Sequence, residues 1–446
     1  MLKVAKFGGS SLADAKQFIK VKDIVRADDA RQVIVVSAPG KRFSGDHKIT
    51  DLLYLAHAHA KYGVSGDSIF QMIRERYEEI ANALDLKYHL ANKLDRIQAA
   101  VKANTLPDEL VSRGEYLCAR LMAEFLGYDF LDARDWLFFN FDGTIDMKAS
   151  GAALREYYDK HPRFVTPGFY GALANGKIRL MARGGSDITG ALAAALLDAD
   201  MYENWTDVPG ILMADPRVVE NPQPIERITY EELRELSYMG AEVLNEESIF
   251  PVREKDIPLN IRCTNDPDAP GTVISSSFAN DSASDNTHFI TGIAGKKNFT
   301  FIAMHKNRLS LEHGILRKLL GVFDKYEISI EHVPSGVDSV AVVVSTEAVE
   351  PVLYKILDEI EKELHPESLQ VTDGIALIAA VGRTMAYRPG ISGRLFAALG
   401  ENGVNVRMIS QGPDEINIVF GVKNEDFEKS IRILYNSFVR LDVNEE

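Results

Sequence analysis

Lys6-Phe7-Gly8-Gly9-Ser10-Ser11 stands between a short apolar stretch, Leu2 to Phe7, and a helix signal that opens near Asp14. This order reads as strand, glycine turn, helix. Glycines at such a turn let backbone N–H groups approach an anion, and the helix terminus behind them adds positive potential. Lys6 can bring charge to the same point. The lysine precedes the glycines, so this is not a Walker A loop, and the spacing does not match the dinucleotide fingerprint. By itself, a glycine pair after a strand is also what a plain tight turn contains.

Outward from this turn, strand-like runs (Val33 to Val36, Ile178 to Met181, Met201 to Trp205) alternate with helical patterns (Asp51 to Lys61, Pro107 to Leu126, Ser186 to Leu197). Alternation of this kind argues for an α/β fold, here a three-layer α/β/α domain. The stretch from Asp67 to Asn104 reads as almost wholly helical, an insertion or lid flank. A second turn, Arg183-Gly184-Gly185-Ser186-Asp187-Ile188-Thr189, again lies between a strand and a helix. Ser186 or Asp187 would serve as a helix cap there, whereas a guanidinium on bare glycine backbone suits a carboxylate held in bidentate fashion. Asn204 to Ile211, followed by Asp215-Pro216-Arg217, reads either as a simple turn or as strand-end polar groups that hold a nucleotide. One glycine turn with a lysine and one with an arginine suggest a site for two anionic ligands.

The chain has 446 residues, 46% of them hydrophobic, and a formal net charge of −15. That length predicts two to four domains with real cores. The acidity argues against nucleic acid and anionic membranes as partners. No apolar run reaches the roughly 20 residues needed to span a bilayer. The N-terminus lacks a basic segment followed by an apolar one, so no signal peptide is expected. Cys118 and Cys263 form no disulfide framework, which fits a reducing cytoplasm, and both read as buried small apolar residues. No Cys/His spacing suggests a protein-bound metal.

From Thr264 to His288 the chain turns rich in Asn, Asp, Ser and Pro, and a domain boundary is placed there. Beyond it lies an internal repeat. Gly314 and Gly390 are 76 positions apart, and the same gapless offset pairs Ile315 with Ile391, Leu319 with Leu395, Ile328 with Val404, Gly336 with Gly412 and Val340 with Ile416. Each copy reads as loop, amphipathic helix, strand, glycine turn, strand. The resulting division is a catalytic domain over 1–290 and two small modules over 299–375 and 376–446.

The segments KFGGSS, SRGE (Ser112 to Glu115), TPGFYG (Thr166 to Gly171), RGGSD and WTDVPGI occur in the order and spacing of the aspartokinases. The chain resembles that family over essentially its whole length, and the paired modules look like ACT domains of ferredoxin-like βαββαβ fold. The resemblance implies transfer of a phosphoryl group from ATP, with Mg²⁺, to the side-chain carboxylate of L-aspartate, giving 4-phospho-L-aspartate. Lys6, Gly8, Gly9 and Ser10 would cradle the phosphoryl group, with Lys6 and Asp187 catalytic. Ser37, Thr50, Glu115, Phe169, Arg183, Gly184, Gly185 and Ser186 would line the aspartate site, Arg183 holding the α-carboxylate and Glu115 the α-ammonium. Thr206, Asp207, Leu212 and Arg217 would contact the nucleotide. An effector, lysine with threonine alone or jointly as the alternative, would bind around His313, Gly314, Leu316, Glu331 and Ser335. Those surfaces could instead be contacts of a homodimer or homotetramer built through the ACT domains.

Two positions depart from the family pattern: Glu242 stands where a lysine is common after Met-Gly-Ala, and Leu212 where an aromatic often follows Gly-Ile. Thr50 as a helix N-cap and Phe169 as a core residue remain alternative roles. A glutamate kinase of the same fold and a non-enzymatic amino-acid sensor stay open as alternative functions. A dehydrogenase fusion is not expected, since nothing follows the second module.

Overall fold

Lys3–Phe7 runs near the middle of an eight-stranded sheet, ordered Asp129–Phe130, Phe164–Pro167, Arg31–Val36, Lys3–Phe7, Met201–Thr206, Leu259–Cys263, Thr272–Ser275, Arg227–Thr229. The first six strands in that order are parallel; only Thr272–Ser275 runs antiparallel to its neighbour Leu259–Cys263. A parallel sheet is covered on both faces, which is why its inner strands are continuous apolar runs: Val4, Ala5, Phe7 and Val33 to Val36 are fully buried. This computed structural model describes residues 1–102, 106–181, 184–241, 246–278, 290–385 and 389–439. They form two units: Met1–Ile211, Pro224–Tyr230 and Leu244–Phe278 make one, and Leu212–Gln223, Glu231–Val243 and Ala279–Glu446 the other.

In the first unit, Ala15–Arg26 begins at Asp14, whose side chain accepts from Gln17 N at 2.9 Å, a regular N-cap. Its apolar residues Phe18, Val21, Ile24 and Val25 join Phe7, Ile34, Leu53, Tyr77, Leu117 and Trp205 in one core. The helix Gly185–Leu197 packs on the strand Lys3–Phe7 and is itself packed by Met147–Lys160 and Glu246–Glu254, completing the third layer. The expected helix over Asp67 to Asn104 is two helices, Asp67–Ala83 and Leu90–Lys102, parted by a turn in which Asp85 has φ 51°; Asn104 lies outside the described residues. Pro107 to Leu126 is likewise split, into Pro107–Val111 and Arg113–Leu126. Ile178–Leu180 is a strand as expected, but of a separate three-stranded sheet with Phe138–Phe139 and Tyr170–Leu173.

The second unit contains a six-stranded antiparallel sheet, ordered Ile330–His332, Ser339–Ser345, Gly292–His305, Ser368–Val381, Asn417–Lys423, Met408–Gln411. Its two longest strands serve both halves. Phe299 to His305 pairs with Ser339–Ser345 in the first half, and Ile375 to Val381 pairs with Asn417–Lys423 in the second. The 76-residue repeat is realised in space: helices Ile315–Lys325 and Ile391–Glu401 start after Gly314 and Gly390, at φ 77° and 92°. Such backbone is strained for any residue with a Cβ, which explains the matched glycines. Each half is a helix, strand, strand, helix unit closed by a shared strand, the ferredoxin-like arrangement. No helix of the described residues is long and apolar enough to cross a membrane.

Candidate active site

Parallel strands point their carboxyl ends the same way, and ligands of open α/β sheets gather there. Four such ends converge here. Gly8 to Ser10 follow Lys3–Phe7, Ser37 to Lys41 follow Arg31–Val36, Phe169 follows Phe164–Pro167, and Thr206 with Asp207 ends Met201–Thr206. Together with Gly184 to Ser186 they line one cavity of about 850 Å³. The two glycine turns thus face the same space.

Their closeness depends on missing side chains. A Cβ at Gly9 would lie 2.9 Å from the Ala38 carbonyl oxygen, and one at Gly40 would lie 2.6 Å from the Gly9 carbonyl carbon. Gly40 N donates to Gly9 O at 2.8 Å, locking the first turn to the loop after the neighbouring strand. On the far flank Ser37 Oγ donates to Ser186 Oγ at 2.7 Å, which ties that loop to the second turn.

Lys6 is 6% exposed, and its Nζ lies 2.5 Å from Asp187 Oδ1 and donates to Asn204 Oδ1 at 3.3 Å. Asn204 Nδ2 donates to the same Asp187 oxygen at 3.0 Å. Nζ sits directly behind Gly8, 3.5 Å from where a Cβ would be. The ammonium is therefore aimed by a carboxylate and an amide, which leaves it a proton to offer an oxygen at the Gly8–Gly9 turn. Ser186 and Asp187 are not caps: the helix starts at Gly185 without a side-chain cap.

Glu115 is the charge outlier of the site. It lies in the helix Arg113–Leu126, is 3% exposed, lines the cavity, and accepts one hydrogen bond, from Ala38 N at 3.3 Å. Its Oε2 is buried with no partner. Burial outweighs the amide contacts and pushes its carboxyl up to about 8. A buried carboxylate on a cavity wall with one oxygen unpartnered is a socket for a cation, because an unpaired charge there is costly and a partner restores it. Phe169 sits at φ 76°, its N–H bonded to Thr189 Oγ1 at 3.0 Å, so its backbone is held in a rare conformation at the cavity wall.

Among the residues read from sequence, Gly8, Gly9, Ser10, Ser37, Thr50, Glu115, Phe169, Gly184, Gly185, Ser186, Thr206 and Asp207 line the cavity. Thr50 lies inside the first turn of Ile49–Lys61, where Lys48 is the N-cap residue, so Thr50 is not a cap. Arg183 and Glu242 lie outside the described residues. Leu212 and Arg217 belong to the segment Leu212–Gln223 of the second unit, where Arg217 is exposed and bonded to Asp215 at 2.8 Å. Sequence reasoning missed Pro39, Gly40, Lys41, Lys48, Tyr54 and Met181, and placed Asn204 in a nucleotide-holding strand end rather than beside Lys6. For Asn204 the available signal was a buried-strand amide, next to Glu203, whose register opposite Lys6 only the sheet reveals.

In the second unit, Ser310 N donates to Val337 O at 3.1 Å, bringing the loop before Gly314 against the turn that starts at Ser335. His313, Gly314 and Ser335 are exposed and Leu316 is 42% exposed. Glu331 Oε2 accepts from Tyr238 Oη at 2.6 Å. Burial, then this carboxylate, push the Tyr238 phenol up to about 12.

A model of the amino acid kinase family matches residues 1–263, and a model of the ACT domain matches residues 378–438. Aspartokinase 3 of Bacillus subtilis is 34% identical over 453 residues, 98% of this chain and 98% of that one. The crystal structure of the Clostridium acetobutylicum aspartate kinase, described as an allosteric enzyme, is 46% identical with a TM-score of 0.86, covering 98% of this chain and 99% of that one. Escherichia coli aspartokinase III has been solved with aspartate and ADP and with lysine and aspartate. These match with TM-scores of 0.68 and 0.67 at 27% identity, over 98% of this chain and 99% of that one.

Proposed function

The chain belongs to the aspartokinases within the amino acid kinase family, and from that premise we propose that it transfers the γ-phosphoryl group of ATP to the side-chain carboxylate of L-aspartate, forming 4-phospho-L-aspartate and ADP. The observation that carries this reading is the single cavity lined by both glycine turns, with the Lys6–Asp187–Asn204 group behind one turn and the unpartnered Glu115 oxygen at its wall. An amino acid supplies the ammonium that Glu115 lacks. ADP and aspartate are bound by E. coli aspartokinase III, whose fold this chain shares.

The acceptor is already an anion at pH 7, since a free aspartate side chain has a pKa of about 3.9. No general base is needed. The carboxylate oxygen attacks the γ-phosphorus, the bond to the β-γ bridging oxygen breaks, and ADP departs with that electron pair. The barrier lies in bringing two anions together, so the protein's task is positioning and charge neutralisation. Lys6 meets charge on the transferring group, and Gly8 and Gly9 let backbone amides approach it. Asp187, fixed by Lys6 and Asn204, aims the lysine. A magnesium ion carried in with the nucleotide would be held by Asp187 and the phosphates, and would neutralise phosphate charge. Arg183 takes the α-carboxylate, Ser37, Thr50, Phe169 and Ser186 shape the aspartate pocket, and Thr206 and Asp207 serve the nucleotide.

The ACT modules sense an end product. Lysine is the favoured effector, since E. coli aspartokinase III is also known as a lysine complex. It binds around His313, Gly314, Leu316, Glu331 and Ser335, in a homo-oligomer formed through the modules. Two unpaired cysteines suit work in a reducing cytoplasm. The test is a hydroxylamine-trapping assay with ATP and either aspartate or glutamate, repeated with lysine and with threonine. Hydroxamate from aspartate alone, suppressed by lysine, is expected. Equal yields from glutamate would overturn the substrate, and indifference to both effectors would overturn the sensing role.

A further inference from the structure

Lys41 and Lys48 line the cavity and are exposed. Among the described residues no carboxylate pairs with either, whereas Lys6 is already engaged by Asp187. Free cations are therefore supplied to the cavity by the loop after Arg31–Val36 rather than by the strand floor.

That loop is not loose. Gly40 N is bonded to Gly9 O at 2.8 Å, and Ile49 N to Pro39 O at 3.1 Å, which closes the loop at its base. Arg76, on the helix Asp67–Ala83, reaches in from behind. Its Nη1 donates to Gly40 O at 2.8 Å and its Nη2 to Asp46 Oδ2 at 2.6 Å. Arg76 and Asp46 are 4% and 7% exposed. Asp46 also accepts from Arg42 N at 3.0 Å and Arg42 Nε at 2.9 Å. Desolvating two ions is costly, and an apolar pair would serve stability as well. What an apolar pair cannot do is grip a carbonyl and a carboxylate of one loop in fixed geometry. The arrangement fits a loop whose shape matters.

We propose that Ala38–Lys48 is a cationic rim of the active site: Lys41 contacts the terminal phosphate of ATP, Lys48 contacts the approaching acceptor carboxylate, and Arg76 with Asp46 positions both. Lys41 follows Gly40, which is bonded to the phosphate turn through Gly9. Lys48 directly precedes the helix that carries Thr50 and Tyr54 to the cavity wall with Glu115. The rim rests on the reading of the cavity as an aspartokinase site. It deepens that reading by giving each reactant its own neutralising lysine.

The experiment uses the full chain as Lys41→Met, Lys41→Arg, Lys48→Met, Asp46→Asn and Lys6→Ala, with kcat and both KM values measured beside thermal melting. Lys41→Met is expected to raise KM for ATP about tenfold, the scale of one charge-assisted hydrogen bond, and to leave KM for aspartate within about twofold. Lys41→Arg restores the ATP value. Lys48→Met shows the converse split. Asp46→Asn raises both KM values, a change that lost stability alone would not produce. If Lys6→Ala loses turnover while both lysine variants keep wild-type KM values, the rim is wrong and the site stands. If Asp46→Asn melts lower with both KM values unchanged, the positioning role is wrong. If Lys6→Ala also keeps its turnover, the cavity is not the active site and the rim falls with it.

Discussion

Protonation of Glu115 ties substrate binding to pH. Its carboxyl is buried, pushed up to about 8, and has one oxygen without a partner. With that pKa, roughly nine unliganded molecules in ten carry the proton at pH 7. An ammonium docked beside the group favours the ionised form. Aspartate binding at pH 7 must then expel about 0.9 proton, and its apparent affinity should weaken about fivefold from pH 8 to pH 7 and about ninefold more down to pH 6. The unliganded fold shows the same linkage with the sign of a raised carboxyl. Below the unfolded value, about 4.3, folded and unfolded chains are both protonated. Between there and pH 8 only the folded chain keeps the proton, so stability declines across that window, by up to about 5 kcal/mol. Isothermal titration of aspartate at pH 7 in two buffers of different ionisation enthalpy reads the released proton directly. Glu115→Gln should abolish the release, flatten the pH dependence and weaken binding at pH 8. Identical heats in both buffers for the wild type would mean that no proton leaves on binding and that Glu115 does not receive the ammonium.

Lys6→Ala is expected to lower kcat by about 100-fold or more, as for loss of a group that meets transition-state charge, with KM for aspartate little changed; steady-state kinetics check this. Arg183→Ala should instead raise KM for aspartate by about 10- to 100-fold, the worth of a bidentate charged contact, and an unchanged KM would remove it from the site. Gly40→Ala puts a Cβ 2.6 Å from the Gly9 carbonyl carbon, so a loss of about 1–3 kcal/mol is expected, read as a lower Tm with a higher KM for ATP. Tyr238→Phe frees Glu331 of its hydroxyl partner. If Glu331 takes the effector's ammonium, half-inhibition should move to lower lysine by up to about tenfold; an unchanged inhibition curve argues that Glu331 plays no such part.

The two glycine turns were legible because strand, glycine and helix start are all local signals. Their meeting at one site was suggested by the lysine and arginine they carry and not by topology, because the second turn follows Ile178–Leu180, a strand of the separate three-stranded sheet. Asn204 was hidden because its importance comes from register with Lys6, a pairing between residues far apart in sequence. The loop Ala38–Lys48 was hidden for a similar reason. Its lysines look like ordinary surface charges until Arg76, on another helix, is seen to hold the Gly40 carbonyl and the Asp46 carboxylate of the loop that carries them. The repeat was visible at its glycines and apolar positions. That the strand Gly292–His305 starts earlier and serves both halves was not, since a strand shared between copies carries no signal at the repeat offset.

In the proposed reaction the side-chain carboxylate of aspartate, and not its α-carboxylate, meets the γ-phosphate. Reduction of the enzymatic acyl phosphate with borohydride converts the phosphorylated carboxylate to an alcohol and marks which one reacted. Homoserine is the expected product. Recovery of 3-amino-4-hydroxybutanoate, or of unreacted aspartate alone after ATP has been consumed, would contradict it.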